Sequence, residues 1–154
     1  MKAGPLFLAI YDQSMPMNSA IPAQINDLFR SYPPPVCEHL LAVRTLIYDM
    51  AAEHELGKVD EAIKWGEASF LVKGGTAVRV DWKEKRPEVV KVFFHCQTRL
   101  IETFREVYPD VFAYEGNRAL LIPLADYSKQ SELAHCLSVA MRYQALKRLP
   151  MLGM

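Results

Sequence analysis

The stretch of residues 36–54 constrains the fold more than any other part of the chain. Val36, Leu40, Val43, Ile47 and Met50 recur at the three-and-four spacing of one helical face, and Leu41, Leu46 and Ala51 widen the stripe. Such a stripe predicts a long amphipathic helix buried along one side, with Gly57 standing where it should stop. The triplet Pro33-Pro34-Pro35 before it reads as a stiff joint. Ahead of that joint, residues 22–31 place Ile25, Leu28 and Phe29 at helical spacing, with Pro22 suited to a first turn.

After Gly57 the period changes. Val59, Ile63 and Trp65 alternate with Asp60 and Lys64, Phe70 and Val72 continue the alternation, and Gly74-Gly75 reads as a hairpin turn. Val78, Val80 and Trp82 alternate with Arg79, Asp81 and Lys83, and Val90, Val92 and Phe94 do the same with Lys91 and His95 across a charged loop at 84–88. Residues 98–108 return to helical spacing through Leu100, Ile101, Phe104 and Val107, and Pro109 ends that run. Residues 111–115 and 118–124 flank Gly116-Asn117 as a second tight hairpin, and a last helix is expected over 128–147 with Ser128 as its cap. This grammar predicts an α+β fold: a mostly antiparallel sheet with helices packed mainly on one face, two helices first and one helix last. Trp82, Val80, Val92 and Phe94 are the expected sheet core.

The chain of 154 residues makes one domain, 1–154, with 1–20 as an N-terminal extension. An apolar content of 51% with zero net charge excludes intrinsic disorder as the main state. Balanced charge, 18 Lys+Arg against 18 Asp+Glu, removes the reason to expect nucleic acid or an anionic membrane as partner. No apolar run approaches the roughly 18 residues of a membrane span. Cys37, Cys96 and Cys136 show no metal-ligand spacing and cannot all pair, so reduced, structural thiols are expected. With no targeting pattern at the start, the expected compartment is the cytoplasm. Two apolar segments without a helical stripe, 6–11 and 149–154, must pack on the domain or be covered by a partner, which favours a homodimer.

Familiar catalytic patterns are missing. Gly74-Gly75 lacks a phosphate-loop context, and there is no GxSxG elbow and no HExxH. His95-Cys96 and His135-Cys136 are neighbours in sequence, which puts the partners on divergent sides of a strand or helix and argues against joint ligation. Paired carboxylates at helical spacing occur as Asp49/Glu53 and Glu102/Glu106, with Asp110 just beyond, an acidic pattern that suits hard cations but is also that of a solvated helix face. The sheet face away from the core carries Arg79, Asp81 and Lys83 from one strand beside Lys91, Phe93 and His95 from the next. Lys64 and Trp65 stand near enough to add an aromatic wall, so this mixed surface is the candidate ligand site.

The run Glu61-Ala62-Ile63-Lys64-Trp65-Gly66, after a long amphipathic helix and before a hairpin, resembles the central motif of the YdhG-like family of small domains of unknown function, and the likeness extends from about residue 35 to the closing helix. The resemblance implies an α+β domain with an antiparallel sheet in the bacterial cytoplasm and no established reaction. Some relatives are described as frataxin-like iron chaperones, which would imply weak Fe2+ binding through surface carboxylates such as Asp49, Glu53, Glu102, Glu106 and Asp110. Three classes stay open: a non-catalytic binding domain for a small molecule or protein, an iron carrier, and an enzyme using acid–base residues of the open face.

Overall fold

A computed structural model of the chain describes residues 20–154. The apolar stretch 6–11, and nearly all of the N-terminal extension, lie outside those residues. Helix α1 (Ala23–Arg30) and helix α2 (Pro34–Glu53) come first. Pro34 and Pro35 belong to the first turn of α2 rather than to a joint before it, because a residue in that turn has no intrahelical use for the N–H that proline lacks. The expected stripe is buried at Val36, Leu40, Val43, Ile47 and Ala51.

Six strands follow: β1 (Asp60–Lys64), β2 (Glu67–Leu71), β3 (Val78–Asp81), β4 (Val89–Phe93), β5 (Ala113–Glu115) and β6 (Ala119–Pro123), with α3 (Leu100–Val107) between β4 and β5. They form one sheet in the order β1-β2-β3-β4-β6-β5, and every neighbouring pair is antiparallel. After β6 come α4 (Gln130–Met141), the short α5 (Tyr143–Leu146) and a 3-10 turn at Pro150–Gly153. The α+β class and its flanking helices are as the sequence predicts.

Strand alternation gives the sheet an inner row of Ala68, Phe70, Val78, Val80, Val90, Val92, Leu120 and Ile122, all buried. Helices α2, α3 and α4 meet this side, with Phe104 of α3 edge-on to Phe94 at 5.3 Å. Each fully buried Val, Leu, Ile or Phe contributes on the order of 1.5–3 kcal/mol relative to exposure, so this layer dominates stability. One charged pair is built into it. Glu61 points inward from β1, where both nitrogens of an Arg44 fork reach it at 2.8 and 2.7 Å. The Tyr48 hydroxyl donates to the same carboxylate, and Arg44 also bonds the Ala20 carbonyl at 2.9 Å.

Three expectations change. Trp82 is not a core residue: β3 ends at Asp81, and the half-buried indole turns to Tyr32, edge-on at 6.2 Å, while its Nε1 donates to the Pro87 carbonyl. Gly74-Gly75 is not a two-residue hairpin turn. The β2–β3 connection runs over 72–77 and docks on the end of α4, where Thr76 N–H bonds the Ala140 carbonyl at 3.0 Å and Gln144 N–H bonds the Gly74 carbonyl at 2.9 Å. A Cβ on Gly75 would fall 2.6 Å from the Met141 oxygen, so glycine is there for backbone approach. The last helix is accordingly two helices, broken at Arg142 where that loop sits, and Ser128 caps neither. Its hydroxyl bonds Asp126 instead, in a turn before α4.

The C-terminal segment folds back on the chain. Leu152 is fully buried, and Arg99 donates to the Lys147 carbonyl. Cys136 is buried and Cys37 and Cys96 are half-buried, all three as free thiols. Burial, first of all, pushes the Cys136 thiol well above its usual range.

Candidate functional site

The outer row of the sheet, alternate to the core row, runs Ala62, Ser69, Arg79, Phe93 across β1 to β4 by direct register. Over this row lies a hollow of about 400 Å³, whose walls include Lys64, Trp65, Arg79, His95 and Arg118. That volume falls within the range of small-molecule sites. Of the residues the sequence places on the candidate ligand face, Lys64, Trp65, Arg79, Phe93 and His95 come together here. Asp81 and Lys83 do not.

Trp65 holds its place through the β1–β2 turn. Lys64 pairs with Glu67, so the turn has two residues, Trp65 and Gly66, with φ of +55° and +80°. Positive φ at both positions is the type I′ pattern, which matches strand twist and favours Asn-Gly. Tryptophan is a poor fit to the first position, since a left-handed conformation costs a residue with a Cβ roughly 1–2 kcal/mol. Its side chain is nonetheless 91% exposed.

Arg79 forms the floor. Its Nε stands 3.4 Å from Glu67 Oε1, a long single contact, and its terminal nitrogens make no hydrogen bond with a described residue. Lys64 and Arg118 likewise have no ion-pair partner among the described residues. The one acid lining the hollow, Asp60, is already beside Lys58 at 3.4 Å. Burial, and then the charge of Asp81, raises the Glu67 carboxyl above its usual range despite the opposing Arg79, Lys83 and Arg118. His95 lies just past the end of β4, and its Nδ1 accepts from the Gln97 N–H at 3.1 Å. No hydrogen bond joins Ser69 to His95, so the hollow holds no paired nucleophile and base among the described residues.

Asp81 corrects the sequence reading. Its position on the outer row is as expected, but it is only 3% exposed at the far end of the strand, where the Tyr32 hydroxyl donates to Oδ1 at 3.0 Å. Lys83 Nζ stands 3.0 Å from Oδ2 as an ion pair, and that buried oxygen has no further partner among the described residues. The Asp81 carboxylate raises the Lys83 ammonium's pKa, and burial, then Asp81, raises that of the Tyr32 hydroxyl. Both residues thus close a strand end instead of lining the hollow.

The carboxylates named for iron stand on two helices and a loop. Asp49 and Glu53 share a face of α2, and burial, then Glu53, raises the Asp49 carboxyl. Glu102 and Glu106 are exposed on α3, and Asp110 is exposed beyond it. Among the described residues no group of three or more His, Cys, Asp or Glu side chains is placed to hold a metal ion. No described helix is long and apolar enough to cross a membrane.

Sequence reasoning missed Arg118. Its carbonyl accepts from Phe94 N–H at 2.7 Å, which ties the β5–β6 hairpin to the end of β4 and brings Arg118 to the hollow. The signal was the second hairpin itself, once β6 rather than β5 is known to pair with β4. The chain matches no protein-family model, no curated protein and no solved structure, so the residues themselves carry the functional argument.

Proposed function

We propose that the chain is a non-catalytic binding domain whose ligand seats in the hollow on the outer sheet face, under Trp65. One observation carries the reading: Trp65, one of the chain's two tryptophans, is left in solvent, on a turn that disfavours it, at the edge of the hollow. Exposure of an indole forgoes burial on the order of 1.5–3 kcal/mol, and the turn adds strain. Two local sacrifices at one residue are expected where binding, not folding, sets the residue. Lys64 and Arg118, which have no ion-pair partner among the described residues, and the loosely held Arg79 supply polar anchors around the hollow.

The test is ligand protection. The purified chain is analysed by native mass spectrometry for co-purified small molecules, and any ligand found is added back while Trp65 fluorescence is followed in a Trp82→Phe background. Quenching or enhancement that saturates, and that is lost in Trp65→Ala as judged by thermal shift, supports the reading. A ligand that stabilises Trp65→Ala as well as the parent places binding elsewhere and overturns it.

A further inference from the structure

We infer that the hollow selects a small organic anion carrying a flat unsaturated ring, with its carboxylate on the Arg79 fork and its ring against Trp65. The inference rests on the binding-domain reading and adds the chemistry of the ligand. Charge complementarity argues for the anion. Three cationic side chains, Lys64, Arg79 and Arg118, face the hollow, and among the described residues the only acid in its lining, Asp60, is engaged by Lys58. Arg79 is the group suited to anchor it. Its Nε is occupied by Glu67 at 3.4 Å while its two terminal nitrogens bond no described residue, and a guanidinium presenting two such donors matches a carboxylate bidentately.

Shape argues for the ring. Arg79 and Phe93 are direct partners across β3 and β4, so the anchoring charge lies beside an aromatic floor. The Trp65 indole also lines the hollow and is almost uncovered, so its faces are open to a ligand. A flat ring between such walls gains stacking and apolar burial at once. A bare inorganic anion would satisfy the cations and leave both aromatic surfaces wet.

The test uses benzoate, with benzamide as its neutral counterpart, benzylammonium as the cation, cyclohexanecarboxylate as the puckered anion and inorganic phosphate as the ringless one. The Trp65 indole N–H is followed by NMR in the full chain. Benzoate should bind with a Kd of about 1 mM or tighter. Benzamide, phosphate and benzylammonium should bind at least roughly tenfold more weakly, and cyclohexanecarboxylate should lie between. Arg79→Gln should weaken benzoate roughly tenfold or more, and Arg79→Lys should restore only part of the loss. Arg118→Gln, in the β5–β6 turn where only the backbone carbonyl of Arg118 serves the sheet, gives a second loss should Arg79→Gln not fold. Equal binding of benzoate and benzamide, tighter binding of benzylammonium or phosphate, or benzoate affinity indifferent to Arg79 and Arg118 overturns the anion inference while the Trp65 hollow remains a binding site. If no probe shifts the Trp65 indole, the anion inference is overturned, and the binding-domain reading then stands or falls on the co-purification test.

Discussion

Two Arg–Glu pairs stand on opposite faces of one sheet, and they differ in almost every physical respect. Arg44 and Glu61 lie on the helix side with side chains 4% and 3% exposed, joined by a two-nitrogen fork and completed by Tyr48 and a backbone carbonyl. Arg79 and Glu67 lie on the outer side, 26% and 16% exposed, with one contact at 3.4 Å and the fork ends unbonded among the described residues. Burying a charge pair is tolerable only when the remaining donors and acceptors are all taken, and the inner pair meets that condition. An open pair is worth about 0–1 kcal/mol whether or not it is complete. The contrast separates two settings of the same residue types: Arg44 commits its hydrogen bonds to the fold, whereas Arg79 makes one long contact and leaves its fork ends unbonded among the described residues.

Removing Arg44 is the harshest test of that contrast. Arg44→Ala should lower stability by about 3–5 kcal/mol, because Glu61 would be left as a buried, unpaired carboxylate. Arg79→Ala should cost less than about 1 kcal/mol. Denaturant titration of both variants decides, and equal losses would erase the distinction between the faces. Trp82 lies between these extremes, since it extends the inner row but passes the strand end. Trp82→Ala should cost about 2 kcal/mol, below the roughly 3–5 kcal/mol of a fully buried aromatic. A larger loss in the same titration would return it to the core.

Trp65 offers a gain instead of a loss. Trp65→Asn should raise stability by about 1 kcal/mol, seen as a higher Tm, because asparagine accepts the left-handed turn position, and it should abolish the indole's contribution to ligand binding. An unchanged or lower Tm would show that the turn is unstrained by tryptophan. The smallest effect is a pH dependence on the outer face. The Glu67 carboxyl is raised above its ordinary 4.5 by burial and Asp81, so the folded chain holds this proton more tightly than the unfolded chain does. Its contribution is present at low pH and lost as pH rises from about 4.5 through the folded value. The stability difference, parent minus Glu67→Gln, should therefore increase as pH is lowered from roughly 6 to 4 in chemical denaturation. A difference that is flat or that shrinks on acidification would mean the outer pair is tighter than its geometry.

What the sequence disclosed follows from how local each signal was. Val78/Val80 and Val90/Val92 declared both faces of the sheet, because alternation needs only neighbours, and that alone put Arg79 and His95 on the outer side. Glu61 and Arg44 hid inside otherwise apolar patterns, since nothing local says that an acid of β1 will meet a base of the preceding helix. Trp82 lies one residue past the strand end, where alternation no longer holds, and Asp81, the last residue of that strand, is taken by Tyr32, 49 positions earlier. Arg118 needed the crossover that sets β6 beside β4, a pairing between strands not consecutive in the chain. Gly74-Gly75 announced a bend truthfully but carried no word of the helix end against which it bends.

That last contact has a consequence for how the molecule is made. Thr76 and Gln144 exchange backbone bonds with each other's segments, through the Ala140 and Gly74 carbonyls. During synthesis β2 and β3 leave the ribosome long before Gln144 does, so their connecting loop has to wait with its polar groups in water. Once made, the clasp ties the loop's release to the unwinding of the α4 end. The Thr76 and Gln144 amides should then trade their protons for deuterium at one common rate, as a single opening unit joining an early and a late part of the chain.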